Sequence, residues 1–240
     1  MGWGVFGLLA GLTLLSASSS ASIPWTLNLY TEEYAPWNYS SEGKVRGINT
    51  ELLQLVLDDL GYAGHFEVMP WGRAQRFTQV QPNTCFFSAV RTAEREDMYQ
   101  WVGPLSTEYV QLFSLDPELP KLADFPSARP FRIGGQAEDA YTDYAVNLGL
   151  RIERVTEIPV NLSMLQIGRI DLWLAGSIGG PYIAAQNAMQ LYPIATSEQA
   201  FELWMACHPD TDKTVIQNLN DSLKHLKANG VLEQIVQRYR

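Results

Sequence analysis

Apolar positions along this chain recur with two alternating periods, and the alternation predicts a repeating order of strands and helices. Residues 25–30 read as a strand, followed by an aromatic loop, Tyr34-Ala-Pro-Trp37-Asn-Tyr39. Ile48, Leu52, Leu55, Val56 and Leu60 then recur at helical spacing. They predict a helix over residues 50–60, with Asn49 as its cap and Gly61 as its stop. A second strand is expected at 65–69, a short helix opening at Pro70-Trp71-Gly72-Arg73-Ala74, and a third strand at 84–90. This β-α-β-α-β order is that of a parallel sheet flanked by helices.

Four prolines between Asp116 and Pro130 mark a connection, after which the pattern resumes. Strands are expected at 131–133, 151–155 and 170–175, and helices at 140–148, at 162–167 and from Pro181 through Met189. Residues 201–207 are again apolar and strand-like. Val215, Ile216, Leu219, Leu223 and Leu226 form one apolar stripe stopped by Asn229-Gly230, and a last helix is expected over 231–239. The fold class expected from this order is α/β.

A chain of 240 residues can bury the core of one large domain or of two small lobes. Its formal charge of −9 argues against a nucleic-acid or anionic-membrane partner. Trp3 to Leu15 is an uncharged apolar run, followed by a small, polar stretch from Ser16 to Ser22 in which Ser19 and Ala21 suit a cleavage site. This predicts a signal peptide over residues 1–22, a mature chain beginning near Ser22 or Ile23, and export. No Lys or Arg precedes the run, so an apolar first strand or a membrane anchor is the alternative, although the run is short for a bilayer. Export makes the only two cysteines, Cys85 and Cys207, informative: in an oxidising compartment they either bond or remain buried thiols, and their segments leave both open.

The sequence carries no Gly-x-Ser-x-Gly elbow, phosphate loop or metal-ligand spacing, so no catalytic residue, cofactor or metal is expected. His65, His208 and His225 are scattered over a strand, a loop and a helix. An acid/base pair, if there is one, has to be drawn from Glu33, Glu51 and Asp139.

Several segments resemble the extracellular solute-binding proteins that serve polar amino-acid ABC importers. They are the aromatic loop, Gly47-Ile-Asn-Thr-Glu51-Leu, Ser88-Ala-Val-Arg91-Thr92-Ala-Glu-Arg95-Glu and Trp101-Val-Gly-Pro104. Gly168-Arg-Ile-Asp171 and the stretch from Leu226-Lys-Ala-Asn-Gly230 through Arg238-Tyr239 complete the set. The resemblance implies two α/β lobes joined by two hinge strands, a type II periplasmic-binding-protein-like fold. Lobe 1 would be residues 23–112 plus 203–240 and lobe 2 residues 113–202, with crossings near Val110–Leu115 and Phe201–Cys207. It further implies a periplasmic monomer that closes on a small-molecule ligand, an ABC permease as its membrane partner, and neighbouring strands for Cys85 and Cys207. A ligand-sensing receptor domain or a dehydratase-like enzyme on the same fold is the alternative.

By the same resemblance Arg95, at the end of the Thr-x-x-Arg motif, would grip a ligand carboxylate with Thr92 and Ser88 beside it. The guanidinium's fork of donors matches two carboxylate oxygens. Arg73 and Arg91 are rival arginines. Tyr34, Trp37 and Trp71 would pack the ligand's body, or close the top of the core. Relatives place an acid shortly after the Asp of Gly-x-x-Asp to pair with a ligand ammonium, whereas here only Gly176 and Ser177 follow. Ser177 is therefore a candidate contact from lobe 2. So is Asp139, which suits a helix N-cap and, if it faces the cleft, would repel a carboxylate and favour a cation.

Overall fold

The computed structural model describes Met1 and residues 25–239; the expected signal peptide and its cleavage site lie outside the described residues. The chain begins with β1 (Thr26–Thr31), a hairpin of β2 (Tyr39–Ser41) and β3 (Lys44–Arg46), and α1 (Ile48–Leu60). Then come β4 (Ala63–Val68), α2 (Trp71–Val80), β5 (Thr84–Val90) and a long β6 (Gln100–Ser114). The middle of the chain forms β7 (Ile133–Gln136), α3 (Ala140–Asn147), β8 (Ile152–Val155), α4 (Ile158–Gln166), β9 (Leu172–Gly176) and α5 (Gly179–Gln186). A second long strand, β10 (Tyr192–Cys207), leads back to α6 (Lys213–Ala228) and α7 (Val231–Gln237).

All strands but the hairpin join one eight-stranded sheet in the order β4-β1-β5-β10-β6-β9-β7-β8. Pairing is parallel among β4, β1 and β5 and among β9, β7 and β8; in the middle, β10 runs antiparallel to β5 and β6, and β6 antiparallel to β9. The sheet is therefore two small parallel sheets, one per lobe, spliced by an antiparallel pair. β6 meets β9 of lobe 2 through Val110–Phe113, and β10 meets β5 of lobe 1 through Leu203–Cys207. Between these stretches the register of β10 on β6 shifts from Thr196 to Ala200. Both connecting strands are longer than the apolar segments that announced them, and the β2–β3 hairpin had no period to announce it.

In α1 the buried apolar positions are Ile48, Leu52, Leu53, Val56 and Leu57, while Leu55 is 40% exposed. The helix begins at Ile48, two residues earlier than expected. Its N-cap is Gly47, at φ 122°, where a Cβ would lie 2.4 Å from the Trp37 carbonyl oxygen, so only glycine fits. Asn49 instead lies inside the helix, fully buried, and donates to Ser88 Oγ at 2.9 Å. Gly61 closes the helix in the left-handed conformation, as its type requires. The α6 stripe of Val215, Ile216, Leu219 and Leu223 is buried and packs on α1. Cys85 and Cys207 face each other across β5 and β10 and form a disulfide, with Cα atoms 3.9 Å apart. That is closer than the usual range of about 4.4–6.8 Å.

Candidate functional site

The carboxyl ends of β1 and β5 in lobe 1 point toward those of β7 and β9 in lobe 2, the place where sheets of this kind bind ligands. A cavity lies there, lined by Glu32, Tyr34 and Trp71 from lobe 1 and by Gln136, Asp139 and Tyr141 from lobe 2. Its free volume is about 30 Å³, far below the roughly 300–1,000 Å³ of small-molecule sites, so in this arrangement the two walls nearly meet.

Its electrostatics are acidic. Glu32, just past β1, takes a hydrogen bond from Gln136 Nε2 across the lobe boundary. Burial pushes its carboxyl up to about 8, against the Gln136 hydrogen bond, and the nearby Asp139 charge adds to the rise. Asp139 is the N-cap of α3, its Oδ2 accepting from the amides of Tyr141 (3.1 Å) and Thr142 (3.2 Å). Burial raises it to about 6, opposed chiefly by the Arg95 charge. Behind the cavity Glu108 of β6 is only 3% exposed and its carboxyl is raised by burial. It accepts from the hydroxyls of Tyr34 and Tyr141 (2.9 Å) and from the Ile178 amide (3.2 Å), so residues of both lobes converge on one carboxylate. Burial, followed by the Glu108 charge, lifts both tyrosine hydroxyls well above their ordinary value. A Cβ at Gly176 would lie 2.1 Å from the Tyr34 hydroxyl and 2.2 Å from Glu108 Oε2. The space that a side chain at 176 would need is therefore filled by an acid arriving from the neighbouring strand.

The residues expected from sequence divide into two groups. Tyr34, Trp71, Ser88 and Asp139 line the cavity. Ser88 sits at φ 65° and is engaged by Asn38 Oδ1 and Asn49 Nδ2. Arg95 and Thr92 instead wall an adjoining pocket against α3. Arg95 donates to the Val90 carbonyl (3.2 Å) and, across the lobe boundary, to the Glu138 carbonyl (3.0 Å). Trp37 is 3% exposed in the core, with an indole nitrogen that has no partner. Ser177 exchanges hydrogen bonds with the Tyr109 backbone, accepting at 3.2 Å and donating at 2.7 Å, beside β6. Arg73 is exposed and lies 4.8 Å over the Phe77 ring. Arg91 pairs with Glu96 at 2.6 Å and lies 4.9 Å from the Trp204 ring. Of the three arginines, only Arg95 has a hydrogen bond across the lobe boundary among the described residues.

Glu33, Glu51 and Asp139 are not brought together. Glu33 is exposed and accepts from the Ser40 amide, while Glu51 takes hydrogen bonds from Arg238 and the Tyr239 hydroxyl. None of the three histidines lines the cavity. Among the described residues there is no cluster of three or more metal-ligating side chains, and no helix long and apolar enough to cross a membrane.

The lobes also meet at Glu138, which holds a left-handed φ of 58°. Its carbonyl accepts from Trp71 Nε1 (3.1 Å) and Arg95 (3.0 Å), with Gln75 Nε2 at 3.4 Å. Its carboxylate lies 3.6 Å from Arg76. Four side chains of lobe 1 thus converge on one residue of lobe 2.

A family model described as bacterial extracellular solute-binding proteins, family 3, matches residues 28–240. No curated protein matches the chain. Among solved structures, a histidine kinase sensor domain with similarity to periplasmic binding proteins has TM-score 0.82 at 18% identity, covering 90% of this chain and 96% of that chain. An ancestral arginine-binding protein bound to glutamine has TM-score 0.80 at 16% identity, covering 91% and 99%. AbpA of Streptococcus pneumoniae, an amino acid ABC transporter substrate-binding protein bound to L-arginine, has TM-score 0.79 at 17% identity, covering 89% and 94%. At these identities the likeness is one of fold.

Proposed function

The chain belongs to the bacterial extracellular solute-binding proteins, family 3, and from that premise we propose that it holds a small polar solute between its lobes outside the cytoplasm. It changes no covalent bond in that solute. The observation that carries this reading is the cavity itself, at the carboxyl ends of strands from both lobes and bridged by Glu32–Gln136 and by the tyrosine pair on Glu108. A wall built from both lobes encloses a ligand only when they come together, the motion expected of a hinge. The hinge is assigned to the middle of β6 and β10, where their pairing shifts register, with residues up to 112 and from 203 in lobe 1. In this reading Arg95, Thr92 and Ser177 act on closure, while Tyr34, Trp71, Ser88 and Asp139 face the solute.

Uptake through an ABC permease is the role we assign, in keeping with the description of AbpA. The similarity to a kinase sensor domain favours a second reading, in which the same closure reports occupancy to a membrane partner. Native mass spectrometry of the exported protein, followed by thermal unfolding against a metabolite mixture, tests the shared core of both. One copurifying small molecule is expected. At a hundredfold excess over its Kd it stabilises the fold by about 2.7 kcal/mol. Chemical conversion of the bound molecule, or a metabolite mixture that leaves the unfolding midpoint unmoved, overturns the reading.

A further inference from the structure

The groups facing the cavity are unequal in kind. Tyr34 and Tyr141 give their hydroxyls to Glu108, Trp71 gives its indole N–H to Glu138, Ser88 its hydroxyl to Asn38, and Gln136 its amide to Glu32. Five side-chain donors in the wall are thus already engaged by protein acceptors. The acceptors are not matched in the same way. Gln136 engages Oε2 of Glu32 and two backbone amides engage Oδ2 of Asp139, which leaves the other oxygen of each carboxylate for the cavity. Asn161, fully buried beside the same cavity, has an Oδ1 without a hydrogen-bond partner, packed against Gly134. Among the described residues no Lys, Arg or His side chain contributes to the wall, and Arg95 beside it gives its two hydrogen bonds to the carbonyls of Val90, a wall residue, and Glu138. A ligand complementary to this wall supplies donors and positive charge, with an apolar body for the Tyr34 and Trp71 rings. Once both carboxyls are ionised, a carboxylate on that ligand would face two negative charges, with only the Arg95 charge beside Asp139 to offset them.

We propose that the cavity takes a small organic cation without a carboxylate, an alkylamine or alkylguanidine, in preference to an α-amino acid. This rests on the reading of the cavity as the solute site, and it names the class of solute.

Titration calorimetry of the mature chain tests it with n-butylguanidine, n-butylamine, L-arginine and L-glutamine. Both carboxylate-free cations bind, and L-arginine binds at least about tenfold more weakly than n-butylguanidine. Glu32→Gln and Asp139→Asn each weaken n-butylguanidine about tenfold, and the Asn variant retains a good helix cap. Binding releases protons, so affinity falls as pH drops from about 8 to about 6, the window between the Glu32 and Asp139 carboxyls. L-Arginine or L-glutamine binding as tightly as n-butylguanidine overturns the class and leaves the cavity as a solute site. Failure of all four probes also overturns the class. The metabolite mixture then decides separately whether the protein binds a solute at all.

Discussion

Glu32 and Glu33 are neighbours in sequence, yet their carboxylates have different surroundings. Glu33 points to solvent and caps the Ser40 amide, whereas Glu32 is half-buried in the cavity wall. Its carboxyl is raised from 4.5 to about 8 by burial. Below about 4.5 the group is neutral in both folded and unfolded chains. Between about 4.5 and about 8 the folded chain keeps a proton that the unfolded chain has lost, so its contribution to stability declines as pH rises, and levels off above about 8. Glu32→Gln removes this slope. Urea unfolding at pH 5 and pH 8 checks it: the variant should gain on the wild type at the higher pH, and equal slopes for the two would contradict the assignment. Such a gain in stability, set against a loss of ligand, is the exchange expected at a binding site. Nothing local in the Thr31-Glu-Glu-Tyr34 stretch distinguishes Glu32 from Glu33, which is why sequence reasoning singled out the exposed one. Glu108 carried more signal. An acid in the run from Val102 to Phe113, at a position flanked by apolar and small residues, is out of place unless something holds it.

At the scale of elements, the most legible parts were those whose pattern is local. The stripes of α1 and α6, the stop at Gly61 and the parallel-sheet order all follow from spacing and cap chemistry. β6 and β10 were less legible, because a strand that serves two lobes changes its neighbours along its length. The polar stretch Thr196-Ser-Glu-Gln199 interrupts the apolar alternation of β10 where its register on β6 shifts. The Cys85–Cys207 disulfide ties the lobe 1 end of β10 to β5, closing a separation of 122 residues. A crosslink over so long a stretch mainly restricts the unfolded chain, so replacing both cysteines by serine should lower stability by about 2–5 kcal/mol. Urea midpoints of the Cys85→Ser/Cys207→Ser variant and the wild type check this, and coincident midpoints would mean that β5 and β10 hold together without the bond.

At the scale of the whole molecule, the question is what holds the lobes together and what that does to affinity. Glu138 is the focus: its carbonyl takes the indole of Trp71 and the guanidinium of Arg95, and its backbone sits in the left-handed region that a non-glycine residue enters at a cost on the order of 1 kcal/mol. The closed arrangement therefore carries both a favourable contact and a local penalty at one residue. Arg95→Ala removes a charge-assisted hydrogen bond across the boundary and should shift the open–closed balance by about 1–2 kcal/mol, roughly five- to thirtyfold. Affinity for a ligand that needs the closed form falls with the fraction closed, even though Arg95 lies outside the cavity wall. Glu138→Gly acts oppositely, since it keeps the carbonyl, relieves the backbone and loses only an exposed pairing with Arg76, which is worth little. Small-angle scattering of the ligand-free chains separates this from direct ligand contact. Closure control predicts a larger radius of gyration for Arg95→Ala without ligand, a smaller or equal one for Glu138→Gly, and affinities that follow the same order. If Arg95→Ala weakens binding while its ligand-free radius matches the wild type and Glu138→Gly changes neither quantity, Arg95 acts on the ligand itself and the latch at Glu138 is discarded.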